Sequence, residues 1–254
     1  MATTFLRTSD LAQELDVHVN TIRIYEASGF LSNVPRGTNG YRQYRAIHLE
    51  QARLAHLALH WPYVGNKQHL IDLVKSAAND DLGMAMEFAY EYLADVRAER
   101  THAEAAIAFL ERWAAGYALD ASSHPMHIRQ AAAHLNVSID MLRNWERNGL
   151  LTVPREPANQ YRLYGSAELG RLRVIRMLVK SGFSLAAILR MLQQADSGNS
   201  RNLRDALNIP SEEDTHDYVV VAADRWLASL LKLEQRAQEM IELIGRMIEM
   251  LHTQ

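Results

Sequence analysis

Two stretches of the chain space their apolar residues alternately four and three apart. Between residues 84 and 118 these positions are Ala89, Leu93, Val96, Arg100, Ala103, Ile107, Leu110, Ala114 and Tyr117. Between residues 217 and 252 they are Val220, Ala223, Leu227, Leu230, Glu234, Ala237, Ile241, Ile244, Ile248 and Leu251. Sustained over about four heptads, this spacing predicts a coiled-coil seam, so each stretch is expected to form one long helix. A different pattern precedes each of them: short amphipathic runs cut by Gly, Pro and Asn. Leu11, Ala12 and Leu15 make one face of a short helix that Ser9 can cap. Residues 17–20 read as a tight turn, and Asn20 can cap a second helix that runs through Arg23 and Tyr25 to a stop at Gly29. Two short helices across such a turn make a helix-turn-helix. From Leu31 to Tyr44, Pro35, Gly37, Asn39 and Gly40 separate short β-prone pieces, which predicts a hairpin wing before a helix near Ala46.

The same string recurs 120 residues later. Leu15 aligns with Leu135, Arg23 with Arg143, Tyr25 with Trp145, Glu26 with Glu146 and Gly29 with Gly149. Tyr41-Arg42-Gln43-Tyr44 meets Tyr161-Arg162-Leu163-Tyr164. The chain is a tandem duplication. In the second copy helices are expected over residues 128–134 and 138–147, a wing over 152–164 and a helix from Ser166. A short amphipathic helix then follows Lys180-Ser181-Gly182-Phe183-Ser184-Leu185. The expected fold is mainly α: two winged helix-turn-helix domains with small β-hairpin wings, each followed by a long helix, the long helices forming an antiparallel coiled coil. Its parts are a first unit over 1–78, a long helix over 80–118, a linker over 119–125, a second unit over 126–196, a connecting loop over 197–216 and a C-terminal helix over 217–254.

Each seam contains one charge near its centre, Arg100 in the first and Glu234 in the second. Pairing two copies of either helix between chains would bury like charges together, whereas pairing the two different helices sets Arg100 against Glu234. That pairing also stacks Leu93 on Ile241, Ile107 on Leu227 and Leu110 on Ala223. A helix of about 35 residues spans about 50 Å, and the short linker leads directly into the second unit. A monomeric single-chain pseudo-dimer is therefore expected, with a homodimer as the alternative.

Composition narrows the function. The chain has 254 residues, a net charge of −3 and no cysteine, which removes disulfides and thiolate metal sites. Charge is uneven. Residues 126–196 hold ten Arg/Lys against five Asp/Glu, while 80–112 hold three against eight and 197–254 six against ten. A basic block between acidic helical segments fits a DNA-reading module on scaffold helices. No apolar run approaches the roughly 20 residues a membrane helix needs, and the start lacks the form of a signal peptide. A cytoplasmic, nucleoid-associated location is expected. His56 and His60 have metal-pair spacing near His69, but no local carboxylate or cysteine completes a set, and they read as structural. His124, His127 and His134 read the same way, and His48 as a surface residue. No phosphate-cradling loop, nucleophile elbow or carboxylate pair is evident, so neither an enzyme nor a cofactor is expected.

Residues 21–26 (Thr-Ile-Arg-Ile-Tyr-Glu), the Gly29-Phe30-Leu31 turn and residues 39–44 resemble the helix and wing signature of the MerR family. Gly182-Phe183-Ser184-Leu185 with Ile188 resembles its following helix pair. The resemblance covers roughly 5–75 and 126–196. It departs at Ile24 and Asn144, where the family usually has an aromatic, and at the divergent segment 60–65. It implies a bacterial transcription regulator that bends or twists double-stranded promoter DNA, with RNA polymerase as a further partner. In such a protein a recognition helix enters the major groove while wings grip phosphate. The expected contacts are Asn20, Thr21 and Arg23 on the first helix, with Arg36, Tyr41, Arg42 and Arg45 on its wing. In the second unit they are Ser138, Arg143 and Arg147, then Arg155, Tyr161 and Arg162. Tyr25, Trp145, Tyr44 and Tyr164 are expected to pack. Many relatives carry an effector domain after the coiled coil; this chain is expected to lack one. The predicted pairing gathers Trp113, Tyr117, Tyr218 and Trp226 as a candidate site for a small apolar or cationic effector. The alternatives are an architectural or recombination-accessory DNA bender, and a drug-sequestering interaction module with vestigial DNA-binding units.

Overall fold

A computed structural model describes residues 5–116, 124–198, 203–207 and 225–252. In chain order the helices are α1 (Thr8–Glu14), α2 (Val19–Ala27), α3 (Ala46–Leu59), α4 (Lys67–Ala78), α5 (Leu82–Ala114), α6 (Ile128–Leu135), α7 (Ile139–Arg147), α8 (Ser166–Lys180), α9 (Leu185–Asp196), α10 (Leu203–Ala206) and α11 (Trp226–His252). They form two compact units. The first takes in Met1–Ala98 and Leu231–Gln254, the second Glu99–Leu230.

In the first unit α1 and α2 form the expected pair of short helices. The turn between them places Asp16 at φ +52°, and its counterpart Asn136 in the second unit stands at +51°. Asp and Asn tolerate this left-handed conformation better than other side chains with a Cβ. The caps differ from expectation. Asp10, rather than Ser9, secures the start of α1, its carboxylate accepting from Arg7 N at 2.7 Å. His18, rather than Asn20, caps α2 by accepting from Asn20 N through Nδ1 at 3.1 Å. Leu11, Ile22, Tyr44, Leu54, Leu70 and Leu73 are buried, and Tyr25 is buried as expected.

His48, expected at the surface, is fully buried. Its Nδ1 accepts from Arg45 N at 2.8 Å at the start of α3, a role only a deprotonated nitrogen can fill. In the second unit Glu168 takes this position, accepting from Gly165 N at 2.9 Å. Burial, aided by the Arg45 charge, holds the His48 pKa below its ordinary 6.5, and burial acts on His56 in the same direction. As pH falls, the unfolded chain therefore takes up these protons before the folded one. Stability is complete above about pH 6.5 and is lost progressively below it. The first unit is expected to melt earlier than the second on acidification, and His48→Gln to remove part of that sensitivity, as read by hydrogen exchange in each unit.

The second unit repeats the plan, with Leu135, Leu142, Trp145, Tyr164, Leu172, Ile175 and Ile188 buried. Neither wing forms the expected β-hairpin strands among the described residues. Each is held by one isolated antiparallel bridge, Arg36 to Arg42 and Arg155 to Arg162. The reason is local. Pro35 and Pro154 accept from Gln43 N and Leu163 N at 2.9 Å but have no N–H to extend a ladder. A second bridge ties each wing to the entering chain, Leu6 to Tyr44 and Met126 to Tyr164.

The long helices bury a broader stripe than a strict seam. On α5 the expected Ala89, Leu93, Val96, Ala103, Ile107 and Leu110 are buried, and so are Ala85, Tyr92 and Ala106. On α11 Leu233, Met240, Leu243 and Met247 are buried, while Ile241 and Ile248 are half-buried and Leu251 is exposed. A straight helix of 3.6 residues per turn drifts against a 3.5-residue repeat, so the buried face rotates along it. Within the first unit Arg97 Nε donates to Glu234 Oε1 at 2.8 Å. Arg100 lies 3.7 Å from Glu104 on its own helix. The expected connecting loop contains α10, whose Leu203 and Ala206 are buried. Val220, Ala223, Tyr117 and Tyr218 lie outside the described residues.

Candidate nucleic-acid interface

Both units present the same surface. Arg23 on α2 and Arg143 on α7 are exposed, the latter with Asp140 Oδ1 at 3.4 Å. At the wing tips Tyr41 and Tyr161 are 74% and 64% exposed, far beyond what a tyrosine needed for packing would show. Their positions are fixed by their backbones, Tyr41 N donating to Asn39 Oδ1 at 3.1 Å and Tyr161 N to Asn159 Oδ1 at 2.8 Å. Arg36 and Arg155 each donate one guanidinium nitrogen to a wing carbonyl, Gly40 O and Gln160 O, at 3.2 Å. Such a tether orients the guanidinium without consuming its five donors. In the first unit the start of α1, Arg23 and wing residues Asn39, Tyr41 and Arg42 line a groove of about 540 Å³ that also includes Arg7.

Arg42 and Arg162 each have a partner within the protein. Each is part-buried and donates Nε to a carboxylate on the second helix of its pair, Glu26 or Glu146, at 2.6 Å. These pairs clamp the wing onto the helix. Arg155 Nη2 also approaches Glu146, at 3.9 Å. The glutamates were missed as functional residues, although both stand at the same position of the repeat, 16 residues before the arginine. The two clamps differ in a way that can be measured. Glu26 also accepts from the hydroxyl of buried Tyr44 at 3.0 Å, whereas the buried Tyr164 hydroxyl has no hydrogen-bond partner among the described residues. Removing Glu26 strands a buried donor as well as an arginine. Glu26→Ala is expected to cost its unit about 2–3 kcal/mol and Glu146→Ala about 1–2 kcal/mol. Chemical denaturation combined with hydrogen exchange resolved by unit checks the order.

Among the other expected contacts, Asn20, Arg45 and Arg147 are exposed and Thr21 is half-buried. Ser138 caps α7, its Oγ accepting from Met141 N at 3.0 Å. Arg7 and Arg129, which the sequence reading passed over, are exposed at the start of the first helix of each pair. Of the expected aromatic cluster, only Trp113 and Trp226 lie within the described residues. Trp113 stands over Gly170 and Trp226 over Gly182, twelve positions apart along and just beyond α8, and the two tyrosines lie outside the described residues. His56 and His60 stack at 4.6 Å between ring centroids. Among the described residues, no group of His, Asp and Glu is placed to hold a metal ion, and no helix is long and apolar enough to cross a membrane.

Two pairs of short helices, each with the following bridged segment clamped to its second helix, recur along the chain. Residues 126–195 match the family model of the MerR HTH family regulatory protein, and residues 7–44 that of the MerR family regulatory protein. The chain thus carries two units of the MerR family. It is 35% identical over 60 residues to the mercuric resistance operon regulatory proteins of Pseudomonas fluorescens and Serratia marcescens, covering 24% of this chain and 42% of each relative. The chain therefore spans less than half the length of these curated relatives. A probable heavy metal-dependent transcriptional regulator of Haemophilus influenzae is 27% identical over 113 residues, 44% of this chain and 83% of that protein. No solved structure matches the chain significantly.

Proposed function

We propose that the protein is a DNA-binding transcription regulator whose two MerR-type units engage one operator from a single chain. The observation that carries this reading is the exposed arginine–tyrosine pair, Arg23 with Tyr41 and Arg143 with Tyr161, repeated on a clamped helix and wing in both units. Arginine on a recognition helix pairs bidentately with guanine or phosphate, and wing residues position the protein on the backbone. The flanking arginines differ. Arg7 and Arg45 belong to the first unit, Arg129 and Arg147 to the second, with His127, Gly165, Ser9 and Ala27 at the counterpart positions. The operator is therefore an imperfect palindrome, distorted between its half-sites as the family resemblance implies, at a promoter where RNA polymerase is the next partner.

The single-chain arrangement is supported by the composition of the units. The end of α11 folds into the unit that begins with α1, and Glu234 meets Arg97 there. The expected partner of Glu234 was Arg100, one turn further along α5; contact between α5 and α11 itself supports the antiparallel pair that two copies of one helix form in a homodimer. The metal in the names of the relatives does not carry over through thiolates, because this chain has no cysteine.

Footprinting of the purified chain on the DNA upstream of its own gene tests the reading. Protection of two half-sites around a hypersensitive centre supports it, and no protection at low salt overturns it at that promoter. Arg143→Ala is expected to weaken specific binding by about 1–3 kcal/mol and relax preference at one base pair. Unchanged affinity and preference in a fluorescence-anisotropy titration would remove Arg143 from base reading.

A further inference from the structure

The second unit contains a groove whose lining differs in charge and bulk from the counterpart positions of the first. A cleft of about 620 Å³ lies between the end of α6, the C-terminal half of α8 and the part of α5 carrying His102, Ala105 and Phe109. Arg173, Arg176 and Lys180 supply cations to its wall, with His102 and His134 beside them, and no carboxylate lines it among the described residues. Leu135, Phe109 and Met177 give it an apolar floor.

The duplication provides an internal comparison. At the positions of His134, Gly170, Arg176 and Lys180 the first copy has Glu14, Glu50, His56 and His60. There Arg53, the counterpart of Arg173, pairs with Glu14 at 3.0 Å and Glu50 at 2.6 Å. Trp61 stands where the second copy has Ser181. The Arg236 guanidinium lies 3.8 Å over the Trp61 ring, whose edge meets His60 at 5.1 Å. Between the copies two carboxylates are lost, two histidines become permanent cations, and a ring that fills space becomes a serine. The Ser181 Oγ now donates to the His102 carbonyl at 3.3 Å. Every one of these replacements either empties the groove or makes it more positive.

We propose that this groove binds a small organic anion with a hydrocarbon body, its carboxylate or phosphate head held by Arg176 and Lys180. Arg176 is oriented for this by donating to the Leu135 carbonyl, which leaves other guanidinium donors for the oxygens of a carboxylate or phosphate. The body lies on Phe109, Leu135 and Met177. The volume falls within the range of about 300–1,000 Å³ typical of small-molecule sites. A nucleic-acid backbone would use the cations but has no use for the apolar floor. The inference does not depend on DNA binding, because it is read on the protein alone.

The full chain is titrated with the fluorescent anion 1-anilinonaphthalene-8-sulfonate and competed with decanoate, decyl phosphate and decyltrimethylammonium. Saturable binding is expected, displaced by decanoate or decyl phosphate and not by the ammonium; the more potent of the two anions identifies the head group. Lys180→Glu is expected to weaken binding by about tenfold or more, and Ser181→Trp, which restores the first unit's filling residue, to abolish it. Lys180 is exposed, so Lys180→Glu keeps the native circular dichroism and decides the matter even if Ser181→Trp misfolds. The proposal falls if Lys180→Glu binds the probe unchanged, or if the ammonium competes as well as decanoate. It also falls if duplex DNA displaces the probe and decanoate does not, which would make the groove a nucleic-acid contact.

Discussion

Trp145→Ala is expected to cost the second unit about 3–5 kcal/mol, enough to dismantle its helix-turn-helix. The indole is 2% exposed on α7, among the largest fully buried side chains together with Leu135 and Leu142. Its backbone carbonyl accepts from Leu150 N at 3.0 Å across the Gly149 turn, so the residue joins the recognition helix to the segment leading into the wing. Truncation leaves a cavity about the size of an indole in a short helix that is anchored by few other large side chains. The same change in the first unit, Tyr25→Ala, removes a smaller ring that is 7% exposed and tilted against Phe30 at 6.2 Å, and should cost less. Hydrogen exchange measured separately over 128–196 and 8–59 tests both. Protection in the second segment that survives Trp145→Ala would mean that α7 is anchored elsewhere.

Trp145 and Tyr25 were legible from sequence because burial follows periodicity, and each stands one turn before a glycine stop. The helix-turn-helix was legible for the same reason, since Asp16, Asn136, Gly29 and Gly149 hold backbone conformations that few other residues adopt readily. The caps were not. Whether Ser9 or Asp10, Asn20 or His18 closes a helix end depends on which atom reaches an N–H, and several residues nearby were chemically eligible. The ion pairs of Arg42 and Arg162 were not legible because their partners lie 16 residues back on another element. Only the packed wing reveals that the nearest anion is the protein's own. The seam misled in its detail because a fixed heptad selects Ile241 and Ile248, whereas α11 buries Met240 and Met247. The basic groove could not be read from either copy alone. It depends on residues the second copy lacks, and Trp61→Ser181 acquires meaning only once Trp61 is seen beneath Arg236.

Gly182→Ala is expected to destabilise the second unit by about 2–4 kcal/mol, from two causes that can be separated. Gly182 follows α8 at φ +88°, a conformation that costs alanine about 1 kcal/mol or more. A Cβ there would also fall 2.5 Å from Trp226 Nε1 and 2.6 Å from Cε2. These atoms belong to a rigid ring at the start of α11, so the indole as a whole must move. Trp226→Ala removes the obstacle but not the backbone cost. If the contact dominates, the double variant should be less destabilised than the sum of the single variants by about 1 kcal/mol or more; if the backbone dominates, the costs add within about 0.5 kcal/mol. The first copy has Pro62 at this position, so the close approach of ring to glycine belongs to the second unit's own sequence. A coupled result makes Trp226 a packing residue that holds the end of α8. It would then serve the adjacent groove by fixing the backbone of Ser181, and not as an aromatic wall for a ligand.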